Sequence, residues 1–144
     1  MANKIRGFEK VNENIDSILP CRQTSSSAGY DFYVVENIII PANSYVLLPT
    51  NAKAYMQEDE VLMLFARSSL AIKRGLVLKN MTGIIDSDFY PNEIKIALHN
   101  TTNEDVVLEK GERIAQGIFM KYLVSDNGNI NNTRDGGFGS TGKR

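Results

Sequence analysis

Arg67, Ser68 and Ser69 put a guanidinium, two hydroxyls and the open backbone N–H groups of an expected helical turn side by side, which is a local anion site. The same three residues also suit a helix cap with a solvated arginine. In NMTGIIDSDF (80–89) a glycine-containing bend stands beside two acids and an aromatic ring. Backbone groups in such a bend can read the edge of a base as a neighbouring strand would, and a carboxylate within hydrogen-bond reach of a water can act as general base. Asp86 and Asp88 are equally suited to a polar turn. Gln116 lies among apolar residues in GERIAQGIF (111–119) and would be satisfied by a phosphate oxygen or a reacting water, or by solvent. The segment RDGGFGSTGKR (134–144) fits the phosphate-loop pattern G-x-x-x-x-G-K from Gly137 to Lys143, with Arg144 where Ser or Thr is required. Such a loop works by pointing the N-terminus of a following helix at the phosphates, and the sequence ends there, so these glycines are expected to serve another purpose.

The elements that must position these residues read as strands. YDFYVVE, NIIIPANSYVLLPT, EVLMLFA, GLVLKN, EIKIALHN, DVVLEKG and IAQGIFMKYLV are short β-rich runs separated by turn residues, the pattern of an all-β sandwich or barrel. One short helix is expected in SSLAIKRG, with a serine cap, a basic last turn and a terminal glycine. From Ser125 onward the chain is rich in Asn, Asp and Gly with no apolar period, so it is expected to be a mobile arm that cannot offset its ordering entropy by burial. The 144 residues suit one domain, and 16 Lys and Arg against 17 Asp and Glu leave no basic field for nucleic acid. The single Cys21 excludes an internal disulfide and fits a reducing compartment, and His99, the one histidine, reads as a strand residue. No membrane span or signal peptide is evident, so a soluble, cytoplasmic protein is expected.

Five stretches, SAGYDFY (27–33), ARSSLAIKRG (66–75), NMTGIIDSDF (80–89), GERIAQGIF (111–119) and RDGGFGSTG (134–142), resemble in order and spacing the five motifs of the trimeric dUTPase family, over nearly the whole chain. The resemblance implies a β jelly roll or distorted barrel over residues 1–124, with a flexible Gly-rich C-terminal arm over 125–144 that closes on the active site. It implies a homotrimer with shared sites that hydrolyses dUTP to dUMP and pyrophosphate, keeping uracil out of DNA and supplying dUMP for thymidylate. Asp86 would orient and deprotonate the water that attacks the α-phosphorus, with Gln116 beside it. Arg67, Ser68 and Ser69 would hold the triphosphate, and Asp31 would position hydrated Mg2+ through water. A hairpin from Leu78 to Ile85, with Asn80 and Gly83, would bind uracil. Phe89 stands where the family usually has the Tyr that lies under the deoxyribose, with Tyr90 next to it as the alternative. In the arm, Arg134 would reach the γ-phosphate, Phe138 would cover the uracil, and Gly139, Ser140 and Thr141 would follow the phosphates. Two other readings share the fold: a dCTP deaminase, whose catalytic Glu would fall at Ala97, and a phage-type regulatory protein that binds a partner.

Overall fold

The computed structural model describes residues 3–131 and Arg134. Its strands are β1 (Gly7–Lys10), β2 (Tyr30–Tyr33), β3 (Ile38–Ile40), β4 (Tyr45–Pro49), β5 (Ala52–Tyr55), β6 (Glu60–Ala66), β7 (Leu76–Leu78), β8 (Gly83–Asp86), β9 (Lys95–Asn100), β10 (Val106–Leu108) and β11 (Arg113–Lys121). One helix, α1 (Ser68–Arg74), links β6 to β7, and a 3-10 turn over Ser87–Phe89 follows β8. All strand pairings are antiparallel. They form a four-stranded sheet in the order β2-β11-β6-β8, a three-stranded sheet β4-β9-β7 and two ribbons, β1-β5 and β3-β10. This is the expected all-β jelly roll with one short helix.

Strand alternation builds the core. Along β9, Ile96, Leu98 and Asn100 turn inward while Lys95, Ala97 and His99 turn away from the core. Ile96 and Leu98 pack in one cluster with Phe32, Leu62, Leu76, Leu108 and Ile114. Asn100 tolerates full burial because its amide is satisfied on both sides: Nδ2 donates to the carbonyls of Ile40 and Glu104, and Oδ1 accepts from the backbone N–H and hydroxyl of Thr102.

The helix differs from the expectation at its start. Arg67, not a serine, is the N-cap residue, in extended backbone and without a side-chain cap bond. The guanidinium of Arg67 is drawn towards Asp31, so the helix begins with Ser68 and Ser69 as its first residues and both are exposed. The far end follows expectation: Lys73 and Arg74 occupy the last turn, and Gly75 closes it at φ 66°, a left-handed conformation that favours glycine. Arg74 ties this end to Glu112 at 3.0 Å and to the carbonyl of Val107 at 2.7 Å.

The N-terminal strand is held through Glu60, which is 3% exposed at the start of β6 and takes Arg6 on Oε2 and the backbone N–H of Gln57 on Oε1. The hydrogen bonds from Arg6 hold the Glu60 carboxyl below its ordinary range. A depressed carboxyl pKa contributes stability above the ordinary value and loses it as pH falls through the folded-state value. Glu60→Gln should therefore lower Tm by about 3 °C at neutral pH, with the gap to the parent shrinking as pH falls below about 4.3. Thermal melts of both proteins from pH 7 to pH 3 check this, and a gap independent of pH would remove the charge from the account.

Candidate active site

Two clusters stand out, one on the four-stranded sheet and one between it and the three-stranded sheet. In the first, Asp31 on β2 and Gln116 on β11 are paired across the ladder. Gln116 Nε2 donates to the carbonyl of Ala66 at 3.3 Å, next to Arg67. A Cβ at residue 29 would stand 2.3 Å from Gln116 Oε1, so only glycine lets the amide lie this close to the backbone. Asp31 accepts from Nη1 of Arg113 at 3.4 Å and lies 3.6 Å from Nε of Arg67, whose own Nη1 donates to the carbonyl of Arg113 at 3.5 Å. These contacts are long for charge-assisted bonds, so Arg67 is held near Asp31 without a tight pair. Asp31, Arg67 and Gln116 are thus brought together, and Ser68 and Ser69 follow Arg67 at the start of α1.

The second cluster is a cavity of about 410 Å³ lined by Tyr45, Leu47, Leu64, Leu78, Lys79, Asn80, Gly83, Lys95, Ile96 and Ala97. The stretch expected to be a hairpin, Leu78 to Ile85, is a crossing between sheets: β7 pairs with β9 and β8 with β6. Each is the edge strand of its own sheet, so the cavity opens between two backbone edges. The connection turns at Met81, with φ 66°, and is closed by bonds from Met81 N–H to the Leu78 carbonyl and from Thr82 N–H to the Asn80 carbonyl. Asn80 and Gly83 line this cavity, while Ile85 points to the core opposite Leu62. Ala97 lies in the wall, and among the described residues that line the cavity none is acidic.

Asp86 closes β8, paired with Val61. Arg134 donates from Nη2 to Asp86 and from Nε to Asp88 at 2.7 Å. The Asp86 side chain keeps 49% of its surface open. Phe89 follows in the 3-10 turn and is packed in the core at 7% exposure, whereas the Tyr90 hydroxyl donates to Glu9 at 2.7 Å with Lys53 over its ring. Tyr90 is thus engaged at the β1-β5 ribbon. Phe138, Gly139, Ser140 and Thr141 lie outside the described residues.

The dUTPase family profile matches residues 16–142. The chain belongs to the dUTPase family. A deoxyuridine 5′-triphosphate nucleotidohydrolase of Lactococcus lactis subsp. lactis is 46% identical, covering 96% of this chain and 99% of its own length. Another, from Hydrogenobaculum sp., is 38% identical over 90% of this chain and 93% of its own. The crystal structure of dUTPase from Streptococcus mutans superposes with a TM-score of 0.77 at 48% identity, covering 84% of this chain and 99% of that one. The dUTPase of Staphylococcus bacteriophage 80alpha, solved with dUpNHpp, shares the fold at 22% identity and a TM-score of 0.76, covering 98% of this chain and 100% of that one.

Asp86 and Gln116 lie far apart within one chain. On β6, Val61 pairs with Asp86 and Phe65 with Gln116. Four residues along a strand is about 13 Å, and β8 and β11 flank β6 on opposite sides, about 10 Å apart. Groups that act on one phosphorus atom must lie within a few ångströms of it. Arg113, which touches Asp31, carries no signal of this contact in the sequence. It precedes Gln116 by three residues, an odd offset that on a regular strand sets the two on opposite faces. Nothing in the residue pattern signals the bulge that brings them together.

Proposed function

We propose that this chain, a member of the dUTPase family that hydrolyses dUTP to dUMP, works through a site completed by a second copy of itself. The observation that carries this is the separation of Asp86 from Gln116 along β6. By alternation, Asp86 and Ile84 share the outer face of the sheet with Met63, Phe65, Ile118 and Met120, and Ile84 and Met120 are 55% and 37% exposed. A neighbour seated on this apolar face buries it and brings its Arg67, Ser68, Ser69 and Gln116 to the first copy's Asp86. A homotrimer follows the family pattern.

The uracil enters the cavity, where the backbone edges of β7 and β8 and the amide of Asn80 meet its alternating carbonyl, N–H and carbonyl groups. On this reading the C5 edge of the base faces Gly83 and the closed connection. The deoxyribose would lie against Phe89, whose ring is packed in the core of the single chain and leaves 7% of the residue open. Asp86 takes a proton from the water aimed at the α-phosphorus, while Gln116, Arg67, Ser68 and Ser69 bind the charge that develops on the phosphate oxygens. For Asp86 to act, Arg134 must exchange the carboxylates for a phosphate, which is the role given to it at the γ-phosphate. Phe138, Gly139 and Ser140 complete the closure.

Mg2+ suits this donor set. Among the described residues no group of three or more His, Cys, Asp or Glu could hold a metal directly, and Asp31 is a single carboxylate flanked by two arginines. That fits an ion that keeps its waters, is bound by the phosphates and meets Asp31 through water. When bound, it supplies neutralisation of the triphosphate charge.

Deamination of dCTP needs an acid/base residue where Ala97 stands. Incubating the purified protein with dUTP, dCTP or UTP and Mg2+ should give dUMP and pyrophosphate from dUTP alone. Ammonia released from dCTP, or dUTP left intact, would overturn the reading.

A further inference from the structure

Arg113 owes its position to a single inserted residue. From Gln116 the ladder to β2 runs Gln116 to Asp31 and Ala115 to Phe32, and then Arg113, not Ile114, faces Tyr33. Ile114 is the extra residue, and it turns into the core together with Ala115, so two consecutive side chains are buried. Without that bulge Arg113 would fall on the core face; with it, Arg113 shares the outer face with Asp31 and Gln116. Its side chain is 40% exposed and reaches the Asp31 carboxylate, which is 13% exposed, while its carbonyl receives Arg67. The neighbouring acid, Glu112, which immediately precedes β11, already accepts from Arg74 and from the backbone N–H of Glu109.

We propose that Arg113 is a positioning residue for the phosphate half of the site, holding and neutralising Asp31 when Arg67 leaves it for the substrate. This rests on the reading of Arg67 as a triphosphate ligand. With both arginines in place the group carries one net positive charge. Once Arg67 turns to the phosphates, Asp31 would face a polyanion as a bare carboxylate were Arg113 not beside it. The same contact fixes the carboxylate that meets the hydrated cation through water. Arg113 acts through Asp31 and touches no reacting atom.

The test uses the full chain and a non-hydrolysable imido analogue of dUTP, with calorimetric Kd measured over a range of salt and Mg2+, beside steady-state hydrolysis of dUTP. Arg113→Ala should weaken analogue binding and raise KM about tenfold, with kcat within about threefold. Arg113→Lys, which keeps the charge, should recover most of the loss. In an Asp31→Asn background, Arg113→Ala should cost less than about twofold, because there is no carboxylate left to hold. The same tenfold loss in that background, or no change in Kd on Arg113→Ala, overturns the proposal. A parent protein that neither binds the analogue nor hydrolyses dUTP instead overturns the functional reading on which it stands.

Discussion

Asp86→Asn should lower turnover of dUTP by about a thousandfold while leaving analogue binding within a few-fold of the parent. Asparagine keeps the shape of the side chain and an oxygen that can still accept from Arg134, so the fold and the end of β8 stay as they are. What it removes is the proton acceptor. Asp88 provides the control. It too is paired with Arg134, and its side chain is 59% exposed two residues along the chain. If the loss arose through Arg134, Asp88→Asn would share it; if Asp86 is the base, Asp88→Asn should cost less than about tenfold. Single-turnover measurements with saturating enzyme separate the chemical step from product release. Equal losses in the two variants, or turnover in Asp86→Asn near that of the parent, would take Asp86 out of the base role.

Much of this site could be read from residue types because the chemistry sits in short contiguous motifs. RSS, IDSD and AQG each carry their groups within three or four residues, and the strands beneath them are local apolar runs such as EVLMLFA, which is β6 in full. What could not be read depends on pairing at a distance. β5 (AKAY) has weak strand preference of its own and exists as the partner of β1, itself a short polar run. The run NIIIPANSYVLLPT is two strands, broken where Asn43 takes φ 56° after Pro41. The glycine bend at residue 83 signals a reversal, yet not that β7 and β8 join different sheets, since that is set by β9 and β6. The bulge at Ile114 is likewise a property of the ladder and leaves no trace in composition.

The same ladder leads to the second large effect. On the proposed reading, Asp86 and Gln116 lie too far apart to serve one phosphorus within a chain, so the site draws on more than one copy, and the family pattern adds a third contribution, the arm that carries Arg134. In the single chain Arg134 reaches its own Asp86 and Asp88. Whether the arm works on its own chain or on a neighbour is decided by mixing two inactive proteins, Asp86→Asn with an intact arm and a second lacking residues 134–144 with Asp86 intact. Each alone should show less than about 1% of parent activity, because a base or a phosphate ligand is missing from every site. In randomly assembled equimolar trimers, roughly a quarter of sites receive an intact Asp86 from one chain and an intact arm from another, as independent draws around a three-fold ring require. The mixture should then recover about a quarter of parent activity. An arm confined to its own chain never brings the two intact parts together. Differently tagged chains, co-expressed and purified as mixed assemblies, give the measurement. Activity no higher than either variant alone, with mixed assembly confirmed by mass, would assign Arg134 to the Asp86 of its own chain.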